Sequence, residues 1–73
     1  MNITEEVNLI VDTIITFDNK EELSWMGTYK KILKELNMED KVNDNYLLSG
    51  VVKEITKRGY DIVDKPFSLE KYK

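Results

Sequence analysis

The stretch NYLLSGVVKEITKRGYDIV, residues 45–63, decides the fold because it combines the pattern of a helix with that of a strand. Apolar residues recur at helical spacing from Leu47 onward, which places them on one face of a helix. Two basic residues then precede Gly59, and this is the usual chemistry of a helix C-terminus. With Asn43 as the expected N-cap, the sequence predicts a helix over residues 44–58.

The residues that follow Gly59 change to the two-residue period of a strand. Tyr60 and Ile62 fall on one side of the chain, and the residues between and after them fall on the other. The turn DKP, residues 64–66, then leads to a second alternating run at residues 67–70. This pattern predicts a C-terminal β-hairpin.

A first helix is predicted near the start of the chain, from about residue 3 to residue 17. Asn2 is the expected N-cap, with Glu5 placed three residues later as in a capping box. Asn19 is the expected left-handed residue after the helix. Leu9 falls on the solvent-facing side of this helix. It is either an isolated exposed leucine, which is common in folded proteins, or a contact with another subunit.

Between these regions the sequence predicts a short strand and a short helix. ELSWM, residues 22–26, alternates and is predicted to be a single strand that pairs with the hairpin. Gly27 is expected to break the chain. Apolar residues at helical spacing then predict a second helix over residues 28–37.

Length and composition indicate one small domain, residues 1–73, of the α+β class and mainly helical. The chain is 41% hydrophobic and 34% charged, which is typical of a folded globular protein. Its lack of cysteine and histidine removes disulfides, thiolate zinc sites and the usual nucleophile–base pairs. We therefore expect no enzyme activity, no metal, no cofactor and no small-molecule substrate. Without an apolar run of about 20 residues, we expect no membrane association and a cytoplasmic location.

The net charge of −3 is unevenly distributed along the chain. Residues 1–26 hold six acids and one base, a charge of −5, whereas residues 27–73 hold ten bases and eight acids, a charge of +2. This is not the strongly basic balance of an obvious nucleic-acid binder. Because the two parts differ in the sign of their charge, the first part suits a basic partner and the second part suits an acidic partner such as nucleic acid.

The order of predicted elements, ending in the junction KRGYDIV, resembles that of a winged helix-turn-helix domain. The resemblance covers nearly the whole chain, with ELSWM as the first strand and residues 60–72 as the wing. The chain also looks somewhat like the small winged domain of the RNA polymerase delta subunit. The family likeness implies double-stranded DNA as the partner, with helix 44–58 as recognition helix in the major groove and the wing on the adjacent backbone. The short turn predicts a wing of limited reach.

The outer face of helix 44–58 lacks carboxylates and holds the candidate DNA-binding residues. They are Asn45, Tyr46, Ser49, Gly50, Lys53 and Lys57. Lysine contacts phosphate or guanine, serine contacts base edges or phosphate, and asparagine contacts adenine. Three further candidates, Lys30, Lys31 and Lys34, share the outer side of the second helix, and Lys65 lies in the wing turn.

Gly50 stands out within this face because a glycine inside a helix costs about 1 kcal/mol relative to alanine. Three explanations remain open from the sequence. The glycine admits the backbone of DNA or of a protein partner, it packs against the second helix, or it has no structural reason.

A second hypothesis is a protein–protein interaction module with the same fold, such as an accessory or phage-type modulator of a nucleic-acid machine. The acidic first third would repel DNA and attract a basic partner. The candidate partner-binding residues are Glu5, Leu9 and Asp12, and a homodimer is also possible. A regulator of transcription that binds DNA remains the first hypothesis.

Overall fold

The computed structural model describes residues 2–71, which form an α+β domain that is mainly helical. The helices are α1 (Ile3–Thr16), α2 (Trp25–Glu35) and α3 (Asn45–Lys57), and the strands are β1 (Tyr60–Val63) and β2 (Ser68–Lys71). A single 3-10 turn, Glu39–Lys41, lies between α2 and α3. The predicted α+β class with mainly helical content, the order of the three helices and the C-terminal hairpin are confirmed.

The helix ends follow local capping chemistry. Asn2 caps α1 as predicted, since its Oδ1 accepts a hydrogen bond from the Glu5 N–H at 2.9 Å. The expected cap at Asn43 is wrong, because Asp44 accepts from the Leu47 N–H at 3.1 Å and caps α3. The preceding turn explains the shift: it closes with a hydrogen bond from the Asp44 N–H to the carbonyl of residue 41, so extended backbone begins only at Asp44. Gly59, with φ of +92°, ends the helical region as predicted.

The predicted strand over residues 22–26 is wrong, because Ser24 begins a helix there. Its Oγ accepts from the Gly27 N–H at 3.2 Å, so Trp25 belongs to α2 and Gly27 lies in its first turn. Two backbone hydrogen bonds still join this segment to the hairpin turn. The Phe67 N–H donates to the Leu23 carbonyl at 2.7 Å, and the Trp25 N–H donates to the Asp64 carbonyl at 2.9 Å.

Asn19 does not adopt the left-handed conformation expected of it. Glu22 has the positive φ in this connection, at +55°. The Asn19 side chain instead bonds the neighbouring backbone: Oδ1 accepts from Leu23 N–H at 2.9 Å, and Nδ2 donates to the carbonyls of Leu23 and Phe67 at 2.9 and 3.1 Å. Asn19 thus ties the α1–α2 connection to the hairpin.

The core lies between the three helices and is closed by the hairpin. The buried apolar side chains are Val7, Ile10, Val11, Ile14, Tyr29, Ile32, Leu33, Met38, Leu47, Val51, Ile55 and Phe67. Trp25 is half-buried, with its ring centroid 5.3 Å from that of Phe67 and 5.6 Å from that of Tyr29. This aromatic contact attaches the start of α2 to the turn between the strands.

The hairpin is a two-stranded antiparallel sheet with β1 and β2 in simple register. Tyr60 lies opposite Lys71, and Ile62 lies opposite Leu69. The half-buried Ile62 and Leu69 pack against the core, so the intervening pair faces outward. Within residues 2–71, no helix is both long enough and apolar enough to cross a bilayer.

Candidate nucleic-acid interface

The outer face of α3 is an exposed ridge, which we call the α3 ridge. Its exposed residues are Asn45, Tyr46, Ser49, Lys53, Thr56 and Lys57. The cap at Asp44 fixes the start of the helix, and burial of Leu47, Val51 and Ile55 turns the opposite side outward. Tyr46 projects furthest into solvent, with 77% of its surface exposed. Five of the six candidate residues predicted on this helix therefore share one accessible surface.

Gly50, the sixth candidate, lies on the flank of α3 that faces α1. A Cβ atom placed on Gly50 would lie 3.1 Å from Cγ2 of Val7, a contact tighter than normal packing allows. Among residues 2–71, Cγ2 of Val7 is the only heavy atom beyond the backbone of α3 within 4 Å of that position, so the alternative of packing against the second helix is wrong. The glycine lies on the flank of α3 that meets α1, which a helical wheel alone does not show.

Ion pairs between segments engage three of the six acids in residues 1–26. Arg58 Nη1 lies 2.6 Å from Asp12 Oδ1 and its Nε lies 2.8 Å from Glu54 Oε2, so it links α1 to the end of α3. Glu6 pairs with Lys41 in the turn before α3. The hydrogen bonds that Arg58 donates to the carboxylates of Asp12, the larger effect, and Glu54 raise the pKa of Arg58 and keep it charged. The negative charge of α1 is thus largely compensated within the protein.

The lysines of α2 separate into one that is engaged and two that are free. Lys31 pairs with Glu21, and this hydrogen bond is the main cause of its raised pKa. Lys30 and Lys34 are exposed and have no carboxylate partner within residues 2–71. Lys53 and Lys57 on the α3 ridge are unpaired in the same region. Their charges are therefore available to an external anion.

A groove of about 850 Å³ runs between α2 and the turn that leads to α3; we call it the α2 groove. Its lining residues are Lys30, Lys31, Lys34, Glu35, Glu39, Val42 and Asn43. Val42 is half-buried against the core and provides an apolar wall beside the lysine stems. The structure places the three predicted α2 lysines together here.

A second groove, of about 300 Å³, lies on the other flank of the α3 ridge, against α1. Tyr46, Ser49, Gly50 and Lys53 line it from α3. The α1 side includes Ile3, Thr4, Val7 and Asn8, which the sequence did not indicate as part of any site. The helical period of α1 shows which of its residues share a face, but it does not show that this face lies beside α3.

The hairpin is a poor surface for phosphate. Asp61 and Glu70 are exposed and lie directly opposite each other, so two carboxylates share the outward face of the sheet. Lys65 is exposed in the turn, as predicted, but Asp64 is its neighbour. Because the turn is hydrogen-bonded to residues 23 and 25, its position is fixed relative to α2.

The predicted partner-binding residues lie together on the outer side of α1. Glu5 is exposed, and Leu9 retains 36% of its surface exposed one turn later. Asp12 is also exposed, although Arg58 already pairs with it. Within residues 2–71, no group of three or more histidine, cysteine or acidic side chains is arranged to hold a metal ion.

Comparisons with known proteins identify no relative. No protein-family model matches the chain, and neither a curated protein nor a solved structure matches it.

Proposed function

We propose that this chain is a small winged-helix-like module that binds double-stranded DNA through the α3 ridge. The order of three helices followed by a hairpin supports this layout, although the first strand of the family pattern is replaced by the start of α2. Helix α3 then corresponds to the recognition helix, whose exposed side enters the major groove.

One observation carries the proposal: the α3 ridge is exposed, contains no carboxylate and presents two lysines without internal partners. Lys53 and Lys57 offer their charges to phosphates, while Asn45 and Ser49 offer hydrogen bonds to base edges. The ion pairs of Glu6 and Asp12 leave the net charge at −3, but they place a positive group beside two of the three α1 acids and weaken the local negative field there.

The binding is expected to be weak for one copy and strongly dependent on salt. Each phosphate contact contributes about 0.9 to the slope of log affinity against log salt concentration. Lys53 and Lys57 together account for a slope of about 2 in this relation. A ridge of one short helix also buries less surface than tight sequence-specific binding requires.

Titration with a mixed-sequence DNA duplex, followed in the amide spectrum at low salt, tests the proposal. We expect shifts at Ser49, Lys53 and Lys57 that diminish as salt rises. Lys53→Gln should lower the salt slope by about 1. Lys20→Gln is the matched control, because Lys20 lies next to Asp18 in the α1–α2 connection, outside the proposed surface. Absence of shifts on the ridge at about 1 mM DNA would contradict DNA binding, since non-specific binding is detectable well below that concentration.

Protein binding is the second candidate function, and the groove between α1 and α3 favours it. Tyr46 and Ile3 expose 77% and 39% of their surfaces at this groove, and exposed aromatic side chains are common anchors of protein interfaces. The two functions differ in their charge dependence. Tyr46→Ala would then impair binding of the protein partner, while Lys57→Gln, on the α3 ridge but outside the lining of this groove, would leave it unchanged.

A further inference from the structure

The outer side of α1 carries an apolar side chain between two acids. Leu9 is 36% exposed, Glu5 lies one turn before it and Asp12 lies one turn after it. Glu5 has no basic partner within residues 2–71. Asp12 is already paired with Arg58, so this α1 face combines an exposed leucine with one free carboxylate, that of Glu5.

The α2 groove has the opposite character. Lys30 and Lys34 are exposed and unpaired, and Val42 and the lysine stems form an apolar wall beneath the charges. Glu35 and Glu39 also line the groove, so its specificity depends on where a carboxylate is placed. A leucine-sized side chain is small compared with the groove volume of about 850 Å³.

We propose that the α1 face of one copy docks into the α2 groove of a second copy. Leu9 contacts Val42 of the second copy, and Glu5 lies near Lys30 and Lys34 of that copy. The free carboxylate of Glu5 and the free ammonium groups of Lys30 and Lys34 are opposite in charge, and each surface offers apolar area to the other. A second copy is the favoured occupant because this chain itself presents the acidic and apolar face that the groove fits.

The two docking surfaces are different patches of one molecule, so the contact is heterologous. Such a contact joins copies head to tail and leaves a free groove at one end and a free α1 face at the other. Because only one helix face and one groove are in contact, the buried area is small, as in transient interfaces. We expect association at high protein concentration that weakens as salt is added.

A pair of variants tests this arrangement without DNA. Leu9→Ser removes the apolar contact of the α1 face, and Lys30→Glu reverses charge in the α2 groove. Sedimentation equilibrium at up to about 1 mM protein should show at least a tenfold loss of the association constant for each variant alone, equivalent to about 1.4 kcal/mol. Both residues are exposed, and thermal unfolding of each variant checks that it is folded.

Mixing the two variants provides the decisive measurement. The intact groove of the Leu9→Ser chain accepts the intact α1 face of the Lys30→Glu chain, and both free ends are then defective. We therefore expect the mixture to form one-to-one pairs that grow no further. A mixture that stays monomeric, or wild-type protein that is monomeric at about 1 mM, would overturn the proposal.

Two control variants separate this contact from general stickiness. Met26→Ser removes another exposed apolar side chain, 38% exposed on α2 but outside the groove lining, and Lys65→Glu reverses a charge in the hairpin turn. Both should associate as the wild-type chain does. Equal losses in these controls would also overturn the proposal, because they would show that the α1 face and the α2 groove are not specifically required.

Discussion

Replacement of Gly50 by alanine tests whether this glycine sets the spacing between α1 and α3. In an exposed helix, the change stabilises by about 1 kcal/mol because alanine has the higher helix propensity. At Gly50 the new methyl group would lie 3.1 Å from Cγ2 of Val7, so the Val7 side chain or one of the two helices has to shift slightly. Val7 is buried and β-branched, which limits its freedom to change rotamer.

The two effects oppose each other, and crowding is expected to dominate. Overpacking a well-packed site costs about 1–3 kcal/mol, which exceeds the gain in propensity. We expect Gly50→Ala to lower the free energy of unfolding by about 1 kcal/mol, a decrease of about 4–8 °C in the melting temperature of a domain this small. Circular dichroism during thermal and urea unfolding measures both quantities.

Gly27 supplies the matched control. A Cβ on Gly27 would meet no atom closer than 3.4 Å, so Gly27→Ala should stabilise the domain by about 0.5–1 kcal/mol. The cycle with Val7→Ala isolates the contact, because in that background Gly50→Ala should become stabilising. The reasoning fails if Gly50→Ala stabilises the wild-type chain as much as Gly27→Ala does.

Three further changes address the hydrogen bonds of the core and its edges. Burial raises the pKa of Tyr29 to about 12, with the Asp44 carboxylate as a second cause, so the neutral phenol contributes stability that is complete below about pH 10 and lost as pH rises toward 12. Within the described part of the chain, residues 2–71, the Tyr29 hydroxyl has no hydrogen-bond partner, so Tyr29→Phe should match or exceed wild-type stability at neutral pH and lack this alkaline loss in urea unfolding. Asp44→Ala should cost about 1 kcal/mol through loss of the α3 cap, whereas Asp44→Asn should cost less than half of that; equal losses would show that the cap is not the cause. Asn19→Ala should cost about 1–3 kcal/mol, because it removes both the acceptor of the Leu23 N–H and the donor to the carbonyls of Leu23 and Phe67. Asn19→Asp keeps an acceptor for the Leu23 N–H but cannot donate to the carbonyls, so it should recover only part of this loss; full recovery in thermal unfolding would contradict this.

The helix-to-strand junction was predictable from sequence because its signals are local. Gly59 lies directly after the last apolar turn of α3, and the period changes at the next residue. Helix end, glycine conformation and strand start are all determined within a few residues. The structure accordingly reproduces the predicted helix and hairpin almost to the residue.

The start of α2 was missed because a glycine was given too much weight. Trp25 and Tyr29 are four residues apart, so the helical period already began before Gly27. A glycine costs a helix only about 1 kcal/mol, and the tilted ring contacts of Trp25 with Phe67 and Tyr29 offset it. The contact between Trp25 and Phe67 joins residues distant in sequence, so it could not be predicted from the pattern of ELSWM alone.

The candidate site was predictable as far as one helix determines it. The exposed positions of α3 follow from its own periodicity, so five of its six candidates were placed correctly on the outer ridge. Which element covers each flank depends on packing between helices. For this reason the contact of Gly50 with Val7 and the pairing of Asp12 with Arg58 could not be anticipated.

The hydrogen bonds between residues 23 and 25 and the hairpin turn change which end of the β-hairpin opens more easily. Most hairpins are anchored at the open end and loosest at the loop, but here the loop is held by the Leu23 carbonyl and the Trp25 N–H. Strand β1 is continuous with α3 through Gly59, which leaves the far end of β2 as the least restrained part. Amide exchange should therefore be slowest near Phe67 and quicken steadily toward Lys71, so that the two strands separate from the end opposite their loop.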